Sequence, residues 1–148
     1  MQVFDYMDPE LVLFLETDHL DETLQQMVHY VYQKFNFKEE EQFLKAIKKR
    51  EQIVSTGIGM GIAIPHAKLP SLNQFFIVIG ILKKAVDWHS LDQAPVKIVF
   101  MIGGPDDKQM EYLQILSRLT HFVKNEELRQ KLLSLKQPSA IVELFYPI

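Results

Sequence analysis

The chain has 148 residues, 47% hydrophobic and 24% charged, with a formal net charge of −3, a balance that fits one folded domain whose core needs neither metal nor disulfide to hold it. It has no cysteine, which excludes disulfide scaffolds, thiolate zinc sites and cysteine nucleophiles, and its mildly acidic balance gives no electrostatic basis for binding nucleic acid. The longest apolar runs, such as Phe75 to Leu82, are far too short to span a bilayer, and the acidic first residues lack the basic start of a signal peptide; a cytoplasmic protein with no membrane insertion is the expectation.

In chain order, the short apolar stretch 10–16 (ELVLFLE) suits a strand. An amphipathic helix opens at Asp21, with Leu24, Met27, Val28, Val31, Tyr32 and Phe35 recurring at three- and four-residue steps. A second helix follows over about 38–51, with Phe43, Leu44 and Ile47 as its apolar stripe. Residues 61–65 (GIAIP) read as a short strand reached through a glycine-rich loop, and Pro65, lacking a donor, is expected to end regular pairing. FFIVIGIL (75–82) and VKIVFMIG (96–103) are continuous apolar runs of strand length, as in strands buried on both faces. Between them lies a polar connector, and GGPDD (103–107) is a turn that caps a long helix over 107–123. The expected buried face of that helix is Leu113, Leu116, Leu119 and Val123, with Ile115 and Phe122 at its margins. Two shorter helices close the chain over 125–135 and 138–145, started by Asn125 and Pro138. The expected architecture is a single α/β domain over 1–148, a mixed sheet with helices on both faces.

The chemistry concentrates in REQIVSTGIGMGIAIPHAK, residues 50–68. The pattern Gly57-x-Gly59-x-Gly61 lacks the spacing of a dinucleotide fingerprint, and no Gly-Lys-Ser or Gly-Lys-Thr ends a phosphate loop anywhere in the chain. None of the five histidines stands three or four residues from another, so no local metal-ligand spacing exists. There is no Gly-x-Ser-x-Gly elbow for a serine nucleophile. His19, His29, His89 and His121 read as ordinary surface or partly buried histidines. His66 differs, because a proline sets it just past a strand end beside the glycine-rich loop, exposed and rigidly aimed. An imidazole of ordinary pKa, about 6.5, is mostly neutral near pH 7, which is its nucleophilic form. From the residues alone, His66 is a nucleophilic or acid–base histidine.

The 50–68 segment resembles the active-site segment of enzyme IIA of the fructose–mannitol class, a component of the bacterial phosphoenolpyruvate-dependent sugar phosphotransferase system, and of its nitrogen-regulatory relatives. The likeness extends over essentially the whole chain, including AVDWHSLDQAPVKIVFMI (85–102) and YLQILSRLTHFVKNEELRQKLL (112–133). The resemblance implies that His66 takes a phosphoryl group from an HPr-like phosphocarrier and passes it on, with no nucleotide, metal or other cofactor. Arg50, sixteen residues upstream of His66, matches the family's active-site arginine, and Ser55 and Thr56 match its hydroxyl pair. A guanidinium fork suits two phosphoryl oxygens. Support for the third oxygen is expected from Ser55 or Thr56 and from backbone amides at Gly57 and Gly59.

One position departs from the family. Many members carry a second histidine early in the long helix, where this chain has Tyr112. A phenol can donate to a phosphoryl oxygen but carries no positive charge at neutral pH. His121 is no substitute, since nine helical steps turn it about 900°, to the side opposite Tyr112. In sugar-transporting members the acceptor is a cysteine of enzyme IIB. A chain without cysteine or membrane segment implies a stand-alone relay whose acceptor is a separate-chain enzyme IIB, or a regulator acting on a target protein. A module of the same fold that binds partners without efficient transfer is the competing reading, and the presence of both Arg50 and His66 speaks against it.

Overall fold

Two long apolar runs make the centre of the molecule. In a computed structural model, which describes residues 2–148, β5 (Phe76–Val86) and β6 (Val96–Gly104) pair antiparallel. Their side chains alternate between two cores, as the pleat requires. Ile77, Ile79, Ile81, Ile98, Phe100 and Ile102 enter one core, while Val78, Leu82, Val99 and Met101 enter the other. With both faces covered, neither strand keeps a polar face, which is why the sequence shows runs and no alternation.

The remaining strands are short. β1 (Val12–Leu15) runs parallel to β5, preceded by a 3-10 turn over Pro9–Leu11 that takes up part of the expected strand. β2 (Gly57–Gly59), β3 (Ile62–Ala63) and β4 (His66–Lys68) lie on the other side of β6. The sheet order is β1-β5-β6-β3-β2, with β4 also on β6. Helices α1 (Leu20–Lys34) and α2 (Glu40–Ile53) cover the face of Val78 and Met101, using Leu24, Met27, Val28, Val31, Phe43 and Ile47. Helices α3 (Gln109–Phe122), α4 (Glu126–Ser134) and α5 (Pro138–Glu143) cover the opposite face. Asn125 caps α4 by accepting from Leu128 N at 3.0 Å. The architecture is the expected single α/β domain, and no helix among the described residues is long and apolar enough to cross a membrane.

Three expectations are corrected. The glycine-rich stretch is a β-hairpin and not a loop: Met60 and Gly61 both adopt positive φ (60° and 76°) at its tip, where a two-residue turn needs them. Pro65 interrupts pairing without ending it. Ile62 pairs with Ile98 before it and His66 with Ile102 after it, the same separation of 36 residues, so the register runs through and His66 opens a strand. Finally, α3 starts at Gln109 with no side-chain cap, and it buries Tyr112, Ile115 and Leu119 while Leu113 is 53% exposed. Tyr112 stacks on Phe75, centroids 6.1 Å apart and 17° between planes, and this contact at the first turn sets the helix's rotation. A stripe counted from leucines alone is turned away from it.

Where β6 meets this corner its backbone is packed tightly. A methyl group on Gly104 would stand 2.1 Å from the Phe75 ring. Gly104→Ala should therefore lower the unfolding free energy by about 1–3 kcal/mol, the usual cost of overpacking. Urea unfolding followed by the fluorescence of buried Trp88 measures this, and an unchanged midpoint would refute the tight packing.

Candidate functional site

The hairpin and the proline set an imidazole beside a backbone carbonyl. Facing residues of an antiparallel pair alternate between exchanging two backbone bonds and exchanging none. Thr56 and Ile64 face each other just beyond β2 and β3, and Ile64 N donates to Thr56 O at 2.9 Å. The return bond is missing, because Thr56 N donates instead to Glu51 Oε2 at 2.6 Å. Thr56 Oγ1 donates to the other oxygen of that carboxylate at 2.5 Å, and Trp88 Nε1 donates to Thr56 Oγ1 at 3.3 Å. The Ile64 carbonyl accepts from His66 Nδ1, 2.8 Å away. A carbonyl only accepts, so the proton is on Nδ1 and the lone pair is on Nε2.

The surroundings keep that ring neutral. His66 is half-buried, and burial is the largest cause of a pKa below the ordinary histidine value. The Ile64 hydrogen bond opposes the shift, the Arg50 cation adds to it, the Glu51 carboxylate opposes it, and the Lys68 cation makes the smallest contribution, lowering the pKa. Arg50 lies in the last turn of α2, with Nη1 donating to Val54 O at 2.8 Å, which holds the guanidinium against its own helix end. Tyr112, 5% exposed, meets the imidazole edge-on, ring centroids 5.6 Å apart at 63°. Burial pushes its phenol pKa well up despite the opposing Arg50 charge, so it stays protonated.

Of the residues expected at the site, the fold brings His66, Arg50 and Tyr112 together. Ser55 and Thr56 stand behind them with their hydroxyl protons committed, Ser55 Oγ to Trp88 O at 2.7 Å and Thr56 to Glu51. Gly57 N donates to Ser55 Oγ at 3.0 Å, and a methyl group on Gly57 would stand 2.0 Å from Ser90 Oγ. Gly59 is not at the site. Through Ile62 and Ile98 it lies four β6 residues from Ile102, the partner of His66, about 13 Å along a strand. Its φ of +92° and its packing on the Asp92 carboxylate are requirements of the hairpin. His121 is exposed, away from buried Tyr112. No group of three or more histidine or acidic residues among those described is placed to hold a metal ion. Glu51 and Lys68 are the participants the sequence reading missed. Glu51 carried a faint signal, standing next to Arg50 and five residues before Thr56, but that spacing also fits a solvated helix end.

Residues 5–147 match the family model for the phosphoenolpyruvate-dependent sugar phosphotransferase system, EIIA 2. The chain belongs to this family. It is 36% identical over 132 residues to a fructose-specific EIIABC component of the phosphotransferase system from Bacillus subtilis, covering 89% of this chain but only 21% of that protein. It is 28% identical over 142 residues to a nitrogen regulatory protein from Bradyrhizobium diazoefficiens, covering 95% of this chain and 92% of the relative. Among solved structures, the nitrogen regulatory protein IIA-Ntr from Neisseria meningitidis superposes with a TM-score of 0.90 at 18% identity, covering 97% of this chain and 98% of that one, which shows the shared fold.

The electrostatics make a direct test. Ring titration by NMR should place the His66 midpoint below about 6.5, and Arg50→Ala should raise it by removing a cation that lowers it. The sign for stability follows: below about 6.5 the unfolded chain binds a proton on this ring before the folded chain does, so its contribution is complete above that pH and is lost as pH falls. A midpoint at or above the ordinary value contradicts this account. Glu51→Ala should cost about 1–3 kcal/mol, the penalty for stranding the buried Thr56 groups, read by urea unfolding. An unchanged midpoint would show that Glu51 does not satisfy Thr56.

Proposed function

We propose that the protein is a phosphoryl-relay component of its phosphotransferase system, with His66 as the residue that carries the phosphoryl group. The observation that carries this reading is the hydrogen bond from His66 Nδ1 to Ile64 O, which leaves the Nε2 lone pair free on a half-buried, neutral ring. Transfer between two imidazoles needs an in-line approach and compensation of charge on three oxygens, with little other chemistry. The Nε2 lone pair of His66 forms the new N–P bond as the donor's N–P bond breaks, and the departing imidazole keeps that electron pair. The ring that gains phosphorus also gains positive charge, which the Nδ1–H bond to Ile64 O stabilises while the proton remains. The donor ring, protonated on its other nitrogen, departs neutral, so charge is conserved.

Arg50 is the first counter-charge. One of its donors is bonded to Val54 O, and the planar fork has others for phosphoryl oxygens. Ser55 and Thr56 serve by holding the frame, since their protons are already donated. The donor in this reading is an HPr-like phosphocarrier. The acceptor is a separate-chain enzyme IIB or, in the regulatory use that the likeness to the Bradyrhizobium nitrogen regulatory protein supports, a target protein that distinguishes the two phosphorylation states.

Incubation with phosphoenolpyruvate, enzyme I and HPr, followed by intact mass, tests the reading. The wild type should gain one phosphoryl group and His66→Ala none. Arg50→Lys should stay folded by circular dichroism but take up the group about ten- to a thousandfold more slowly, the range for removing one preorganised donor. A labelled His66→Ala protein sinks the assignment.

A further inference from the structure

A phosphoryl group on His66 Nε2 brings close to two negative charges to a half-buried corner, and Arg50 supplies one fixed positive charge. The residue at the family's second-histidine position, Tyr112, cannot supply another: it is a phenol whose burial holds its proton on. Its contacts show where a second charge comes from. One edge contact joins Tyr112 to the His66 ring at 5.6 Å, and over its face, 4.8 Å from the centroid, sits the ammonium of Lys68. His66 and Lys68 are two residues apart in β4, with buried Ala67 between them, so both side chains rise from the same face of the strand. Lys68 Nζ also donates to Gln109 Oε1 at the start of α3. It is thus tethered between the first turn of α3 and the Tyr112 ring, near enough to His66 to disfavour its protonation, though less than Arg50 does.

We propose that Lys68 is the second cation of the phosphoryl site, positioned by the face of Tyr112, and that this lysine–tyrosine pair takes the place of a second histidine. The proposal rests on the relay reading above and adds a residue to it. On phosphorylation, Lys68 turns one N–H from Gln109 Oε1 toward a phosphoryl oxygen. It forms and breaks no covalent bond and keeps its three protons. Arg50 approaches from the end of α2 and Lys68 from β4, so two different elements supply the fixed charges. A cation held by an aromatic face is preorganised, and the face, not the hydroxyl, is what the tyrosine contributes. This distinguishes the pair from a hydrogen-bonding role for the Tyr112 hydroxyl.

The test is the equilibrium of phosphoryl exchange between phospho-HPr and this protein, read by intact mass after phosphoenolpyruvate is exhausted. An equilibrium constant reports the stability of the free phosphorylated protein and is blind to how well the carrier docks. Lys68→Gln should shift it about tenfold toward phospho-HPr, equivalent to about 1.4 kcal/mol, and Lys68→Arg should recover most of that. Tyr112→Phe, which keeps the face, should stay within about twofold of wild type. Tyr112→Leu should lose about three- to tenfold, the range of a cation–π contact removed from a partly desolvated site. Lys68 is half-buried, and circular dichroism of its Gln and Arg variants, expected to match the wild type, lets the conclusion stand without Tyr112→Leu. A wild type that takes up no phosphoryl group overturns the relay reading and this one with it. A labelled wild type with Lys68→Gln at the same equilibrium overturns this proposal alone. If Tyr112→Phe falls as far as Tyr112→Leu, the hydroxyl acts and the cation–π account is wrong.

Discussion

The hydrogen bond from His66 Nδ1 to the Ile64 carbonyl is the constraint around which the site is arranged. Pro65 interrupts the strand while keeping its register, so His66 returns to the sheet at Ile102. Glu51 accepts from the Thr56 amide, and the Thr56–Ile64 rung carries one backbone bond. Thr56 is buried, so its two donors must be satisfied, and a single carboxylate satisfies both.

Charge is arranged on the same economy. Burial and two cations disfavour the imidazolium, which keeps Nε2 nucleophilic near neutral pH. In the proposed relay the same two cations would favour a phosphoryl anion on that nitrogen, so one arrangement would serve both the free and the phosphorylated ring. The Glu51 carboxylate opposes the cations at the imidazole, with both of its oxygens engaged by Thr56.

The sheet makes this arrangement stiff. The site sits where the C-terminal end of β6 meets β4, α2 and the first turn of α3. Each contributes a different group: β4 the His66 imidazole and Lys68, α2 the Arg50–Glu51 pair, and α3 the Tyr112 ring. Phe75 backs Tyr112, and Gly104 backs Phe75 with no room for a methyl group. Displacing any layer of that stack moves the ring against which His66 and Lys68 rest. Rigid support of this kind is what holds a transfer site to a productive geometry.

Much of this was legible in the amino-acid order. Continuous apolar runs at 75–82 and 96–103 determined the two-sided core, because strands buried on both faces have no polar positions to alternate. The step Gly-Ile-Ala-Ile-Pro-His singled out His66, and the resemblance to enzyme IIA marked Arg50, sixteen residues before it. Local pattern could not decide which way α3 rolls, since Leu113, Ile115, Leu116 and Leu119 all read as apolar. That was settled by Tyr112 stacking on Phe75 from another element. Nor could it show that Gly59 serves the hairpin, that Glu51 takes both Thr56 donors, or that Lys68 rests on Tyr112. Each of these depends on residues between five and forty-four positions apart becoming neighbours. Periodicity reports which face of an element is buried; the partners a polar group finds are set only when the elements pack and every buried donor must be satisfied.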